Sequence, residues 1–337
     1  MSGCRPFAAA AGDRPVIAPE VIPARIDAEA QEALQRTPSR AWRSLRGNPG
    51  FWIGSGLVVA LFVLAIGAPF FAPHDPAFGF RREGLSLTGD PVGPNAMFPL
   101  GTDRLGRDYL SRVLHGARAS LVVGVGSNLI ATVIGVVVGS VAAFAGTPRM
   151  RIGVGRRSLG FAVPVEALLM RATDVTLAFP ALLLAIALVA IIGPSLGLIT
   201  VLVAAFLWTT TARIVYGRVL ILKQREWVDA ARAIGASNLR ILVHHVLPHV
   251  TSVIVVYGAL GISAAVLFET SLSFLGVGVP PPAPSWGSMI AEHVTYYGTQ
   301  PRLLLVPGLA IMVTILAFNL VGDALRDALD PHAEAGV

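Results

Sequence analysis

Six stretches of this sequence are apolar and long enough to cross a lipid bilayer as helices. A transmembrane helix needs roughly 20 mainly apolar residues, and the stretches that qualify are 51–71, 120–144, 175–192, 196–216, 250–275 and 303–321. The composition agrees, because 54% of the 337 residues are hydrophobic and only 14% are charged, which is outside the range of ordinary soluble domains. The sequence therefore predicts an all-α membrane protein with six transmembrane helices.

The distribution of arginine predicts how the chain is oriented in the membrane. Seven arginines precede the first apolar stretch and five lie in the connection after the second, and basic residues favour the cytoplasmic side. The segment 73–119 is an exception, because it is placed outside although it carries six arginines against five carboxylates. The predicted order is a flexible cytoplasmic tail (1–50), a first transmembrane helix (51–72), an external loop (73–119), a core of five transmembrane helices (120–325) with a cytoplasmic loop (217–249), and a cytoplasmic C-terminal tail (326–337).

Targeting signals, cysteine usage and net charge exclude several other classes. The tail has no apolar run long enough for a cleavable signal peptide, so the first transmembrane helix is predicted to remain as an anchor. The single cysteine, Cys4, cannot form an internal disulfide. The net charge of +6 does not indicate nucleic-acid binding, because the basic residues lie beside the apolar stretches, where orientation and anionic lipid account for them.

The sequence signatures of catalysis are missing from this chain. It has no zinc-protease helix, no nucleophile elbow and no dinucleotide-binding turn. Its only lysine, Lys223, is not part of a phosphate-binding loop, so the chain is predicted to be non-catalytic and any ATP-driven step must belong to another subunit. The neighbouring His244 and His245 point about 100° apart on a helix and have no third ligand nearby, so no metal ion or cofactor is predicted.

Two features inside the apolar stretches are open to a structural or a functional interpretation. Glu269 is an ionisable residue in a predicted span, where charge is costly and usually functional. It lies near the outer interface, which leaves a structural polar contact, a gating role and contact with the solute pathway open. Gly135 and Gly139 have the spacing that permits close helix packing, although glycine is also simply tolerated in membrane helices.

Residues 226–249 form a short amphipathic, charged segment between two apolar stretches. The alanine-rich first half favours a helix, and Gly235 permits the backbone conformation that ends it. Ser237 or Asn238 can cap a second helix, which Pro248 is expected to stop. The segment is therefore predicted to be two short helices around a glycine turn.

This segment resembles the EAA loop of ABC-importer permeases. Asp229-Ala230-Ala231, Gly235 and Leu247-Pro248 fall in register with that pattern. Two positions depart from it, because Asp229 replaces glutamate and His245 stands where isoleucine is usual. The resemblance implies that the segment couples to an ATPase through Glu226, Asp229, Ala230, Ala231, Gly235, Ala236, Ser237, Leu247 and Pro248.

Further motifs narrow the resemblance to one subfamily. They are LGTDRLGRD with LSR and GAR in 100–118, LMR with Asp174 and LAFP in 169–180, LSFLGVG with Pro281-Pro282 and PSWG in 272–287, and AFNL with Gly322-Asp323 and LRDALDP in 317–331. Together they make residues 50–331 similar to the C-type permease of dipeptide, oligopeptide and nickel importers. Residues 149–165 depart from it, since this connection is longer and more basic than usual. By themselves, the glycines and Asp/Arg pairs of 100–118 indicate only an ordered loop.

The resemblance implies a type I ABC-importer permease fold and a set of partners. These partners are a B-type permease in a heterodimer, two cytoplasmic ATP-binding subunits and an external solute-binding protein, assembled in the inner membrane of a bacterium with both termini of this chain in the cytoplasm. The alternative is a secondary transporter driven by an ion gradient. It requires a mid-membrane carboxylate or basic relay, usually with broken helices in paired repeats, and neither is expected from the sequence. The solute is left open among peptides, nickel chelates, glutathione and oligosaccharides, with di- or oligopeptides favoured by family frequency.

Overall fold

A computed structural model describes residues 42–145, 149–154, 157–162 and 164–329. The helices are α1 (42–47), α2 (Pro49–Ile66), α3 (Ala68–Phe71), α4 (Tyr109–Phe144), α5 (Val165–Ala178), α6 (Ala181–Ile192), α7 (Leu196–Lys223), α8 (Glu226–Ala233), α9 (Asn238–Arg240), α10 (Leu247–Phe274), α11 (Trp286–His293) and α12 (Arg302–Leu329). A π-helical turn (Ile241–Val246) joins α9 to α10, and a 3-10 turn (Val294–Tyr296) follows α11. The described residues from Ser44 onward form one compact unit.

Five helical segments in the described part of the chain are long and apolar enough to cross a membrane, and a bent pair makes a sixth span. This confirms the prediction of an all-α membrane protein. The loop end of the bundle carries residues 73–108 and α11, and the coupling end carries residues 224–249. The predicted tail before residue 42 and the tail after residue 329 lie outside the described residues.

Capping side chains determine where the long helices begin. Asp108 Oδ2 accepts a hydrogen bond from Ser111 N–H at 3.4 Å, and α4 therefore begins at Tyr109. The prediction that the whole of 73–119 is loop was wrong, because this first polar part of α4 belongs to the helix although hydropathy alone does not reveal it. At the other end of the chain α12 continues to Leu329, past the predicted end of the last span.

The glycine pair of α4 lies where this helix packs against α7. A Cβ atom at Gly135 would lie 2.6 Å from Thr211 Cβ, and a Cβ atom at Gly139 would lie 2.4 Å from the carbonyl oxygen of Ala212. Both separations are too short for a side chain, so glycine is what allows the two backbones to approach. The predicted packing role of Gly135 and Gly139 is confirmed.

The third predicted span is not one helix. α5 ends at Ala178, α6 begins at Ala181, and the two axes differ by 82°. Pro180 explains the break, since the residue before a proline is pushed out of the helical region and Phe179 has φ −82° and ψ 137°. The expectation that this chain has no broken helix was therefore wrong.

An antiparallel hairpin occupies the connection that departs from the family pattern. Its strands are β1 (Arg149–Val154) and β2 (Arg157–Ala162), paired from Arg149 with Ala162 to Val154 with Arg157. Within the described residues it is the only paired set of strands, apart from three isolated bridges between residues 79 and 108. The sequence predicted an unusual connection here but not a hairpin.

The residues between α3 and α4 form an ordered cap on the loop end. Arg302 at the start of α12 donates hydrogen bonds to the carbonyl oxygens of Leu100 (2.5 Å) and Val92 (2.9 Å). Gly101 has a φ of +74°, and a Cβ atom there would lie 2.5 Å from the carbonyl oxygen of Val92. The ordered loop that was predicted from the glycines of 100–118 is confirmed for residues 100–108.

Candidate functional site

The turn at Gly235 ends α8 with a complete pair of capping hydrogen bonds. Gly235 has a φ of +86°, the left-handed conformation that glycine adopts without strain. Its N–H donates to Arg232 O at 2.9 Å, and the N–H of Ala236 donates to Ala231 O at 3.0 Å. These two bonds constitute a Schellman motif. The predicted first short helix and the glycine turn that ends it are confirmed.

The second half of the segment differs from the prediction. Ser237 caps α9, because its Oγ accepts a hydrogen bond from Arg240 N–H at 3.3 Å. Pro248 was expected to stop the helix, and this was wrong, because α9, the π-helical turn and α10 continue through it to Phe274. Proline removes a hydrogen bond and collides with the carbonyl group four residues earlier. The wider π-helical turn that ends at Val246 provides the room for it.

Apolar side chains hold the segment against the bundle. Val228 and Ala231 of α8 are buried, as are Ile241 and Val246 of the π-helical turn. They pack into one cluster with the following residues of α4, α7 and α10: Ala143, Phe144, Val215, Val219, Leu222 and Val250. This cluster therefore joins the segment to three membrane-spanning helices.

A groove of about 600 Å³ lies on the outer side of the segment. It is lined by Trp227, Ala230, Ala231, Ile234, Gly235, Ala236, Arg240 and His245. Ile234 is 86% exposed and Leu239 beside the groove is 70% exposed. Exposed charges surround these apolar residues, and one such pair is Arg232 with Asp229, at 3.1 Å. A surface that mixes an apolar centre with a charged rim has the character of a protein interface.

The predicted coupling residues divide into three groups in this arrangement. Glu226, Asp229, Ala230, Gly235, Ser237 and Pro248 are exposed, Ala236 and Leu247 are partly buried, and Ala231 is buried with 8% of its surface exposed. The structure adds Trp227, Ile234, Arg240 and His245 to the groove. Trp227, Ala230 and Ile234 recur at the spacing of one helix face, a signal in the sequence that had not been used.

Glu269 lies in a buried polar cluster near the loop end of α10. Its carboxylate is fully buried and accepts hydrogen bonds from Ser273 Oγ at 2.6 Å and Ser120 Oγ at 3.1 Å. Ser285 Oγ extends the cluster by donating to Ser273 Oγ at 3.0 Å, and Trp286 N–H donates to Ser120 Oγ at 3.4 Å. Glu269 therefore connects α4 and α10 to the start of α11, and this geometry favours the structural interpretation among those left open.

A second charged cluster at the loop end has the spacing of a metal site. Asp103, Glu292 and His293 place their ligand atoms within 4.8 Å of one another. Two guanidinium groups already occupy the carboxylates, since Arg107 bonds Asp103 (2.5 Å) and Glu292 (2.7 Å) and Arg112 bonds Glu292 (3.0 Å). Two negative and two positive charges balance, so the cluster is an ion-pair network that joins the cap and α4 to α11.

His293 is the buried histidine of this cluster. Its Nδ1–H donates to Met289 O at 2.7 Å, and its ring meets Tyr109 edge to face at 5.7 Å. Burial lowers the pKa of His293, because the charged form loses its hydration. Arg112 acts in the same direction, whereas the hydrogen bond to Met289 and the charges of Asp103 and Glu292 oppose the shift.

The sequence of this chain is similar to two known families of membrane proteins. Residues 135–334 match the family described as the binding-protein-dependent transport system inner membrane component. The chain belongs to this family. Residues 39–86 also match the N-terminal transmembrane domain of oligopeptide transport permease C.

Two curated relatives cover nearly the whole chain. The di/tripeptide transport system permease protein DppC of Pseudomonas aeruginosa is 39% identical over 86% of this chain and 90% of its own length. The glutathione transport system permease protein GsiD of Pectobacterium atrosepticum is 40% identical over 89% of this chain and 93% of its own length. This chain is thus a multi-pass membrane permease subunit, and proteins of this kind work together with other subunits.

Proposed function

We propose that this chain forms half of the translocation pathway of an ATP-driven importer of small peptides. The groove beside the Gly235 turn receives a surface element of a cytoplasmic ATPase subunit. Closing of the ATPases on ATP moves this segment, and the helix bundle follows as a rigid body. The observation that carries the proposal is the groove itself, with its apolar floor attached to α4, α7 and α10 through one buried cluster.

The composition of the groove supports a protein as its occupant. Trp227 stacks on His249 with a ring separation of 5.2 Å, and Ile234 extends outward beside the exposed Arg240. Charged residues make lipid an unsuitable neighbour, and the exposed apolar residues are costly in water. A partner that supplies an apolar contact and acidic or amide groups satisfies both.

ATP hydrolysis belongs to the partners in this proposal. The single lysine, Lys223, donates a hydrogen bond from its Nζ to the carbonyl oxygen of Ala143 at 2.7 Å. It joins the ends of α7 and α4, so it does not serve a phosphate-binding loop. The proposed assembly contains a B-type permease, two ATP-binding subunits and an external solute-binding protein, and this chain is non-catalytic within it.

The coupling end faces the cytoplasm in the proposed orientation. Both termini lie on that side, and residues 73–108 with α11 face outward toward the solute-binding protein. The arginines of the tail and of residues 149–171 support this orientation. The solute class rests on the relatives, whose names specify di- and tripeptides and glutathione; all of these carry a free ammonium and a free carboxylate group.

A pair of substitutions on one helix tests the docking proposal. Ala230 and Ala233 are both exposed on α8, but only Ala230 lines the groove. Ala230→Arg should release the ATPase subunits during purification and abolish solute uptake, whereas Ala233→Arg, the matched control, should retain both. Equal behaviour of the two variants would contradict docking in the groove. Uptake that continues without ATP but collapses with the ion gradient would instead support a secondary transporter.

A further inference from the structure

The broken span carries an ion pair inside the membrane-spanning bundle. Arg213 Nη2 of α7 lies 2.5 Å from Asp174 Oδ1 of α5. Both side chains are 50% exposed, in contrast to the fully buried Glu269. At about 1.5 Å per residue, Arg213 lies roughly 15 Å from the end of α7 at Lys223, and Asp174 lies roughly 14 Å from the start of α5. Both residues lie within segments that are long and apolar enough to cross a membrane, Arg213 in α7 and Asp174 in the bent α5–α6 pair.

The break between α5 and α6 interrupts the helical backbone close to Asp174. The last carbonyl groups of a helix and the first N–H groups of the next have no partner within their own helices, and α5 and α6 meet at Phe179 and Pro180 with such ends facing each other. Both residues are exposed. Interrupted backbone at membrane depth is tolerated only where protein covers it or where it lines a water-filled cavity. Asp174 lies one helical turn before this break.

α5 is linked to α7 by two polar contacts. Thr173 is its only buried residue. Its links to α7 are the Asp174–Arg213 ion pair and a hydrogen bond from Tyr216 Oη to Glu166 Oε1. Arg171, one turn before Asp174 on the same helix, is also exposed. The immediate surroundings therefore contain two positive charges and one negative charge on a weakly packed element.

We propose that Asp174 and Arg213 form a charged site in the translocation pathway that binds the two charged ends of a peptide. Arg213 binds the carboxylate, to which its planar guanidinium group can donate two parallel hydrogen bonds, and Asp174 accepts hydrogen bonds from the ammonium group. This inference rests on the proposed function, since it names a solute site within the same pathway. Arg171 adds a positive charge that favours peptides with a second carboxylate.

The exchange of partners explains why the site is suited to transport. A bound peptide breaks the Asp174–Arg213 ion pair and forms two ion pairs of the same kind in its place. The net gain is one ion pair, so the binding free energy is small. A pathway site must bind strongly enough for the solute to enter and weakly enough for it to leave. Opening the pair also releases one of the two polar links between α5 and α7, which lets the broken span move when the solute is present.

Cysteine accessibility tests whether the pair lies in an aqueous pathway. Asp174→Cys and Arg213→Cys are made in a Cys4→Ser background, and the assembled transporter in lipid nanodiscs is treated with charged methanethiosulfonates, with and without a non-hydrolysable ATP analogue. The matched control is Val59→Cys, because Val59 is 61% exposed and lies at the same depth, roughly 15 Å from the start of α2. Both test cysteines should react at least tenfold faster than the control in one nucleotide state. Rates equal to the control in both states would overturn the proposal and favour a dry contact with another subunit.

The charge preference of the reagent tests the anion-binding role. In Asp174→Cys, Arg171 and Arg213 remain without their carboxylate, so the anionic sulfonatoethyl reagent should react at least fivefold faster than the cationic trimethylammonium reagent after correction for their reactivity with a free thiol. Adding Arg213→Gln should reduce this preference to twofold or less. An unchanged preference would exclude Arg213 as the anion-binding group.

Reversing the pair separates solute binding from a purely structural link. Asp174→Arg combined with Arg213→Asp preserves the ion pair but exchanges the positions of the charges. Uptake of dialanine should fall at least tenfold while the ATPase subunits still co-purify, whereas Arg213→Lys should retain a measurable part of the uptake. Restoration of full uptake by the reversed pair would overturn the binding site. If the unmodified transporter takes up neither dialanine nor glutathione, the proposed peptide solute fails, while the two accessibility experiments still decide the site.

Discussion

The substitution of Gly235 by valine gives the most direct test of the coupling turn. Gly235 has a φ of +86°, and a β-branched residue in this region costs about 1–3 kcal/mol. A Cβ atom at this position meets no other atom of the chain within 4 Å, so the cost is one of backbone conformation and not of collision. A free-energy difference of 1.36 kcal/mol corresponds to a factor of ten in population. In the valine variant, the native turn should therefore become roughly five- to 150-fold less populated relative to other conformations of the same segment.

Loss of the turn has a defined structural consequence. If the backbone leaves the left-handed region, the hydrogen bonds from Gly235 and Ala236 to Arg232 and Ala231 break, and the groove loses its floor at this point. We expect solute-stimulated ATPase activity and uptake by the purified, reconstituted transporter to fall in proportion. Membrane insertion should be unchanged, because Gly235 lies outside the membrane-spanning helices.

Two control variants make this test specific. Gly235→Asn should retain much of the coupling, because asparagine tolerates the left-handed region. Gly193→Val also introduces backbone strain, at φ +93° and ψ 148° with no atom within 4 Å, but in the connection between α6 and α7, and it should leave ATPase association intact. Full uptake and a native ATPase ratio in Gly235→Val would refute the reasoning. An equal loss in Gly193→Val would show that general destabilisation explains the effect.

Three further predictions concern packing, pH and orientation. Gly139→Ala should lower the stability of the purified subunit by about 1–3 kcal/mol through overpacking against Ala212, whereas Gly126→Ala, whose Cβ atom would lie 3.4 Å from its nearest neighbour, should change it little in thermal unfolding; equal effects would contradict the close α4–α7 contact. The lowered pKa of His293 means that the unfolded chain binds the proton more readily, so stability should be greatest above the ordinary histidine pKa of about 6.5 and should decline as the pH falls below it. His293→Gln should flatten this dependence in melting curves from pH 7.5 to 5, and an unchanged slope would contradict it. In intact cells with Cys4 replaced, an impermeant thiol reagent should label Tyr297→Cys and not Leu239→Cys, both exposed positions, and the opposite pattern would reverse the proposed orientation.

The spans and the coupling segment could be predicted because their signals are local. Five of the six apolar stretches are long enough to identify a single spanning helix without knowledge of its neighbours, and the third, 175–192, is the exception. The turn at Gly235 follows from a residue type that alone adopts positive φ freely, and its place after an alanine-rich helix fixes the two-helix form. The sequence offered two candidate caps, Ser237 and Asn238, and the structure shows that Ser237 caps α9.

The continuation through Pro248 could not be predicted from the same local rules. Proline disrupts an α-helix, but its missing N–H and its steric conflict are accommodated when the preceding turn is π-helical. The π-helical turn is itself held by Ile241 and Val246, which are buried against α4, α7 and α10. Tertiary packing therefore decided the outcome, and no pattern in residues 226–249 contains that information.

The Asp174–Arg213 ion pair could not be predicted from the sequence. A span predicted to begin at Val175 leaves Asp174 outside the membrane, so Glu269 was the only carboxylate to be considered. Once α5 is seen to extend from Val165 to a break at Phe179 and Pro180, Asp174 lies at membrane depth beside Arg213. A carboxylate and a broken helix, two features associated with ion-driven transporters, thus occur in the same candidate span. Because the chain belongs to the binding-protein-dependent family, we propose a different role for them, in which the ion pair is exchanged for the charges of a solute and carries no protons across the membrane.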